Sequence, residues 1–215
     1  MSEGSPIPLF PLSSVLVPNG RLPLQIFERR YIDLVSNSLK TGTGFGVCLL
    51  KKGKETITAG RRQEVHRVGC YAHIVDWDQL ENGLLGITVE GSLRFHVRDC
   101  WSRDDHLLMA DVGWLDGAEA IGGGEPSLPV SDDQAFLVEL LQDLTEHPLV
   151  ESLGLDMDIK SRQQLSWRLI ELLPAPMAEK QRLLEIGEAD ERIKEIEVYL
   201  AAVMRHGGSY TPDSK

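Results

Sequence analysis

No stretch of the 215-residue chain approaches the roughly 20 consecutive apolar positions that a membrane-spanning helix needs, so no helical span is expected. Met1-Ser2-Glu3-Gly4-Ser5-Pro6 lacks the basic start and apolar segment of a signal peptide, and the expectation is a cytoplasmic protein with no membrane partner. Cysteine is scarce. Cys48, Cys70 and Cys100 are odd in number and far apart, which excludes a disulfide framework and a paired zinc ribbon. Each is expected to be a small buried hydrophobe. A phosphate-binding loop, a spaced-glycine dinucleotide fingerprint and a Gly-x-Ser-x-Gly nucleophile elbow are all missing. No repeat of roughly 20 to 50 residues recurs.

Clustered positive charge is missing as well. Residues 1–115 balance 13 Lys+Arg against 13 Asp+Glu, whereas residues 116–215 carry 9 against 20 and hold the whole net charge of -11. Nucleic-acid binding needs a basic surface that releases counterions from phosphate, so this distribution argues against such a partner. Lys51-Lys52-Gly53-Lys54 and Arg61-Arg62 are short basic clusters that read as a loop and a hairpin tip.

What is present is an opening rich in proline-bounded apolar runs: Pro8 to Leu12, Val15 to Pro18 and Pro23 to Tyr31. Proline cannot donate to a sheet ladder, so these runs predict edge or corner strands. From Glu28, Tyr31, Leu34, Val35 and Leu39 share a helical face until Thr41-Gly42-Thr43-Gly44 breaks it. Strands follow at Phe45 to Leu50 and from Glu64 through Trp77. Asn82-Gly83 predicts a tight turn with positive φ at both central residues, pairing Tyr71–Leu80 with Leu84–Glu90. Separate strands are predicted at Leu93–Trp101 and Leu107–Leu115. The predicted core is Leu24, Ile26, Phe27, Tyr31, Val35, Phe45, Val47, Ile74, Ile87, Val89, Phe95 and Val97.

Asp116 to Ser127 is too poor in apolar residues to pack and too rich in glycine to stay rigid, which predicts a linker over 116–128. Beyond it the pattern is helical. Ser131 and Gln134 form one capping-box signal, and Ser161 and Gln164 another. Phe136, Leu137, Leu140, Leu141 and Leu144 make the first apolar stripe, stopped by His147-Pro148. Leu165, Leu169, Leu172 and Leu173 make the second, stopped by Pro174. Pro176 starts a short third helix, and Asp190 caps a fourth with Ile193, Ile196, Leu200 and Val203 inward. The fold class is therefore α+β: strands and one early helix over 1–115, an acidic helical bundle over 129–207 and a disordered tail over 208–215.

The ordered series Pro8–Leu12, Ile26-Phe27-Glu28-x-Arg30-Tyr31, Phe45-Gly46-Val47, Gly69 to Ile74, Glu90 to Val97 and Leu165 to Leu184 resembles the amino-terminal, substrate-binding domain of Lon-type ATP-dependent proteases. Arg29 stands where this family commonly has proline. The resemblance implies a β pseudobarrel of PUA-like architecture. It also implies a free-standing, non-catalytic module that binds polypeptides or unfolded protein segments, with an adaptor role in protein quality control as one form of it. No cofactor is implied. Pro11, Phe27, Glu28, Arg30, Tyr31, Phe45, Gly46 and Arg94 are the family-signature positions, read as structural. The fold relationship alone supplies an alternative, an RNA-binding module whose contacts would include Arg61 and Arg62.

Catalytic and metal chemistries find little support in the residues. Cys70 and His73 are an odd number of positions apart on a strand and face opposite sides. Asp104-Asp105-His106 could serve a small metal-dependent hydrolase, but its place between two strands makes a polar turn the better reading. Asp156-Met157-Asp158 starts like a calcium loop, yet Ser161 and Trp167 occupy the positions that need glycine and glutamate. Glu28, Arg30 and Arg94 either grip a carboxylate or lock the early helix to the barrel. Glu28 is expected to be buried, bonded to helix N–H groups or to Arg30 or Arg94. Trp77, Trp101 and Trp114 are the candidate partner contacts. As such, one of them should stand partly exposed on a concave surface near the junction of strands and helices.

Overall fold

The computed structural model describes residues 6–56, 63–115, 128–145, 150 and 153–205. Its strands are β1 (Ile7–Leu12), β2 (Arg21–Ile26), β3 (Phe45–Lys52), β4 (Glu64–Val65), β5 (Val68–Gln79), β6 (Leu85–Ser102) and β7 (Leu108–Trp114), with α1 (Arg29–Thr41) between β2 and β3. Downstream, a 3-10 turn at Asp132–Gln134 runs into α2 (Ala135–Thr145), followed by α3 (Arg162–Leu172), α4 (Met177–Glu185) and α5 (Ala189–Arg205). The anticipated linker, the His147-Pro148 stop, Arg61-Arg62 and the tail lie outside the described residues.

Pairing runs β1-β7-β6-β5-β3, and β3 returns to β1 in parallel, so five strands succeed one another around a pseudobarrel. β2, carrying Pro23, pairs with β6 alone among the described strands and is an edge. β1 is not. Despite Pro8 and Pro11 it has two neighbours, but each takes a different part: Ile7–Leu9 pair with β7 and Leu9–Leu12 with β3.

The two strands predicted around Gly91 are one strand of 18 residues, β6. Gly91 reads as a break in sequence, but here it admits a close backbone approach. A Cβ at Gly91 would lie 2.2 Å from the Val17 carbonyl oxygen. The Val17–Gly20 turn presses onto this point, with Asn19 N–H donating to the Gly91 carbonyl (2.8 Å) and Gly91 N–H to the Gly20 carbonyl (2.9 Å). The β5–β6 hairpin pairs the predicted segments, but its register is one residue off that of a two-residue Asn82-Gly83 turn, with Asp78 opposite Gly86, and only Gly83 has positive φ (80°), not Asn82. Gly83 N–H donates to the Leu80 carbonyl and Leu80 N–H to that of Leu84, a three-residue loop in which one left-handed residue suffices.

Nine of the twelve predicted core residues are buried, and Leu24 and Ile74 pack partly buried against the same core. Phe27 is the exception at 57% exposed. Ile26 ends β2 facing inward, and strand alternation turns the next side chain outward. On α1 the inward face is Arg30, Tyr31, Leu34, Val35 and Ser38, while Leu39 is exposed. Gly42, at φ 67°, closes this helix by donating to the Ser38 carbonyl (2.9 Å).

In the helical part, the Ser131/Gln134 capping box is present and the Ser161 hydroxyl accepts from Gln164 N–H. Leu137, Leu141, Leu165, Leu169, Ile170, Leu183, Leu184, Ile193 and Ile196 form the core together with Val17 from the β part. Phe136 and Val203 point outward. Asp190 sits inside the first turn of α5 rather than capping it, and its carboxylate accepts from Arg162 (3.0 Å). Of the cysteines, Cys48 and Cys70 are buried, but Cys100 is exposed near the end of β6.

Candidate functional site

The sheet meets the helices around Trp167 of α3, which is 2% exposed. The Arg192 guanidinium lies 3.4 Å from the centre of its ring and that of Arg94 lies 5.2 Å away. Arg94, from β6, donates to the carbonyls of Leu184 (3.0 Å), in the last turn of α4, and of Ile186 (2.6 Å), the residue that caps it. Arg192 donates to the same Ile186 carbonyl (2.7 Å) and to the Ser166 hydroxyl (2.9 Å). Gln181 of α4 adds a bond to the Val68 carbonyl of β5 (3.0 Å). Cations at a helix C-terminus complement its dipole, so β6 caps α4 through Arg94.

Beside Trp167 lies a polar cleft of about 150 Å³, bordered by Asn19, Arg21, Glu90, Asp156 and Arg168. Its walls are tied together. Arg21 donates to Glu90 (2.8 Å) and the Gly154 carbonyl (2.6 Å), and Arg168 to Glu171 and the Asp156 carbonyl (3.0 Å). Burial holds the Glu171 carboxyl above its ordinary value, against the pull of Arg168.

Arg30 is buried, and all three of its guanidinium nitrogens donate within the fold. They reach the Glu28 carboxylate (3.2 Å) and the carbonyls of His106 (2.9 Å) and Glu55 (3.1 Å), while its guanidinium lies over the Tyr31 ring. Glu28 occupies the cap position of α1 without bonding its N–H groups, so Arg30 is its partner. Tyr31 stacks on Phe10 at 3.9 Å, and Phe45 tilts against the same ring. Pro11 lies opposite Cys48, and a Cβ at Gly46 would meet Leu9 and Phe95 at 2.6 Å. Asp104-Asp105-His106 is a hairpin turn: Asp105 accepts from Arg103 and from Leu107 N–H, and His106 has φ 64°. Among the described residues, no three His, Cys, Asp or Glu side chains are grouped to hold a metal.

The three candidate tryptophans are dispersed. Trp114 packs edge-on against Tyr71 and Phe95 and is partly buried. Trp101 is 39% exposed beside Cys100. Trp77 is 60% exposed, at the far end of β5 from Val68 and the helices. In register it stands opposite Ile87, which stands opposite Leu24, so one apolar row crosses β5, β6 and β2. The tryptophan that seals the junction is Trp167, which sequence reading passed over. A tryptophan inside a leucine stripe looks like ordinary core, and only the fold brings Arg94 and Arg192 to its faces.

A model of the ATP-dependent protease La (LON) substrate-binding domain matches residues 6–202. The Lon protease of Buchnera aphidicola (strain APS) is 21% identical over 204 residues, 94% of this chain and 25% of that protein. That of Amoebophilus asiaticus is 25% identical over 179 residues, 83% of this chain and 21% of that protein. The chain thus spans about a quarter of the length of these curated relatives. Among solved structures, a Lon N-terminal domain protein from Xanthomonas campestris is 28% identical, with a TM-score of 0.69 over 91% of this chain and 98% of that one. The N-terminal domain of a Mycobacterium avium complex Lon protease shares the fold at 14% identity and a TM-score of 0.57, covering 92% of this chain and 98% of that one. With a family match that takes in both the pseudobarrel and the helices, this chain belongs to the family of Lon substrate-binding domains.

Proposed function

We propose that the chain is a non-catalytic recognition module that binds exposed apolar segments of unfolded polypeptides in the cytoplasm and presents them to a partner machine. The observation that carries this reading is the substrate-binding-domain match over residues 6–202. The exposed Trp77 at the end of the apolar row Leu24–Ile87–Trp77 supplies a surface for it, since aromatic anchors dominate binding energy at protein interfaces. The test is a fluorescence-anisotropy titration with a reduced, carboxymethylated small protein and with its native disulfide-bonded form. The reading expects saturable binding of the unfolded form alone. Equal binding of both forms, or of neither, contradicts it.

A further inference from the structure

Resting on that reading, the outer edge of β5 narrows the class of polypeptide. β3 pairs with β5 only as far as Ala72, and no described strand covers the edge from His73 to Gln79. The ladder fixes which groups point outward. Leu80 N–H donates to Leu84, so hydrogen-bonded pairs recur at Asp78↔Gly86 and Asp76↔Thr88, and the main-chain groups of Trp77 and Gln79 face away from β6.

Neither outward N–H is available. Trp77 N–H donates to the Asp76 carboxylate (2.9 Å) and Gln79 N–H to that of Asp78 (2.7 Å). The edge at Trp77 and Gln79 therefore presents acceptors: their outward carbonyls and the exposed carboxylates of Asp76 and Asp78, which those bonds hold at the edge. The exposed Trp77 indole leaves the strand on the face opposite the two Asp residues. A strand adding over Trp77 and Gln79 would find no main-chain donors there for its carbonyls. Side chains that only donate, ammonium and guanidinium, would find acceptors and an aromatic face together.

We infer that the β5 edge around Trp77 receives cationic side chains, so the module selects apolar segments flanked by lysine or arginine, held by side chains rather than by strand addition. The experiment titrates the intact chain with three labelled peptides of equal length and apolar content, flanked by arginine, serine or glutamate. The arginine peptide should bind about fivefold more tightly than the serine peptide, and the glutamate peptide weaker still. This spread should collapse at about 0.5 M salt, where the Debye length falls below roughly 5 Å.

Asp76→Asn with Asp78→Asn keeps an acceptor oxygen for each N–H and removes the charge, so it should bring the arginine peptide down to the serine peptide. Trp77→Ala should weaken both, with an unchanged circular-dichroism spectrum. Equal affinity for the arginine and glutamate peptides, or an arginine peptide indifferent to the asparagine pair, overturns the inference while leaving polypeptide binding intact. Failure of all three peptides to bind removes the parent reading as well. Trp77-dependent self-association without peptide binding would assign the edge to a second copy and overturn the inference.

Discussion

Trp167 should be the residue whose loss the fold tolerates least. Trp167→Ala removes a fully buried indole, which costs about 3–5 kcal/mol through lost transfer energy and residual cavity. It also strips an aromatic face from Arg192 at 3.4 Å and from Arg94 at 5.2 Å, where desolvated cation–π contact adds about 2 kcal/mol. The sum, about 5–7 kcal/mol, is comparable to the total stability of a typical domain. Trp167→Phe keeps a ring between the two guanidinium groups. It also deletes the indole Nε1, a buried donor with no partner among the described residues, so the expected cost is only about 1–3 kcal/mol. Urea unfolding followed by far-ultraviolet circular dichroism measures both. An alanine variant within about 2 kcal/mol of the parent, or a phenylalanine variant as damaged as alanine, would refute the role assigned to the stack.

Further outcomes follow from burial and charge. Phe27→Ala should change stability by less than about 1 kcal/mol and Phe45→Ala by about 3–5 kcal/mol, read as urea midpoints at constant m. A soluble thiol reagent should label only Cys100 in the native protein, and slowly, because burial and Asp99 raise its pKa; Cys48 and Cys70 should react only on unfolding. Labelling of all three at one rate would contradict the packing of β3 and β5. The raised Glu171 carboxyl means that the folded chain holds this proton at pH values where the unfolded chain has released it. Stability attributable to Glu171 should therefore fall as pH rises from its ordinary 4.5 through the raised value. Relative to the parent, Glu171→Gln should lack this fall, and parallel pH–stability profiles would contradict it.

Local chemistry made much of this fold legible in the sequence. Glycine at Gly42 and Gly83, serine caps at Ser131 and Ser161, and the alternation through Phe45–Val47 and Ile87–Val89 each act within a few residues. What stayed hidden depends on partners distant in sequence. Gly91 looks like a strand break until the Val17–Gly20 turn is seen pressing on it. Phe27 looks like core until Ile26 is known to end the inward series. The Trp77 edge could be named as aromatic, but its closed donors follow from ladder parity, which needs the register. The Arg94–Trp167–Arg192 stack joins residues up to 98 positions apart, and no local pattern announces it.

Site-directed photo-crosslinking tests the central claim most directly. A photoreactive phenylalanine analogue replaces Trp77 in one variant and Trp101 in another, and each is irradiated with the reduced, carboxymethylated protein or its native form. The account predicts adducts to the unfolded chain from position 77 and few from position 101, with none to the native form from either. Equal adducts from both positions, or adducts independent of whether the target is folded, would contradict it.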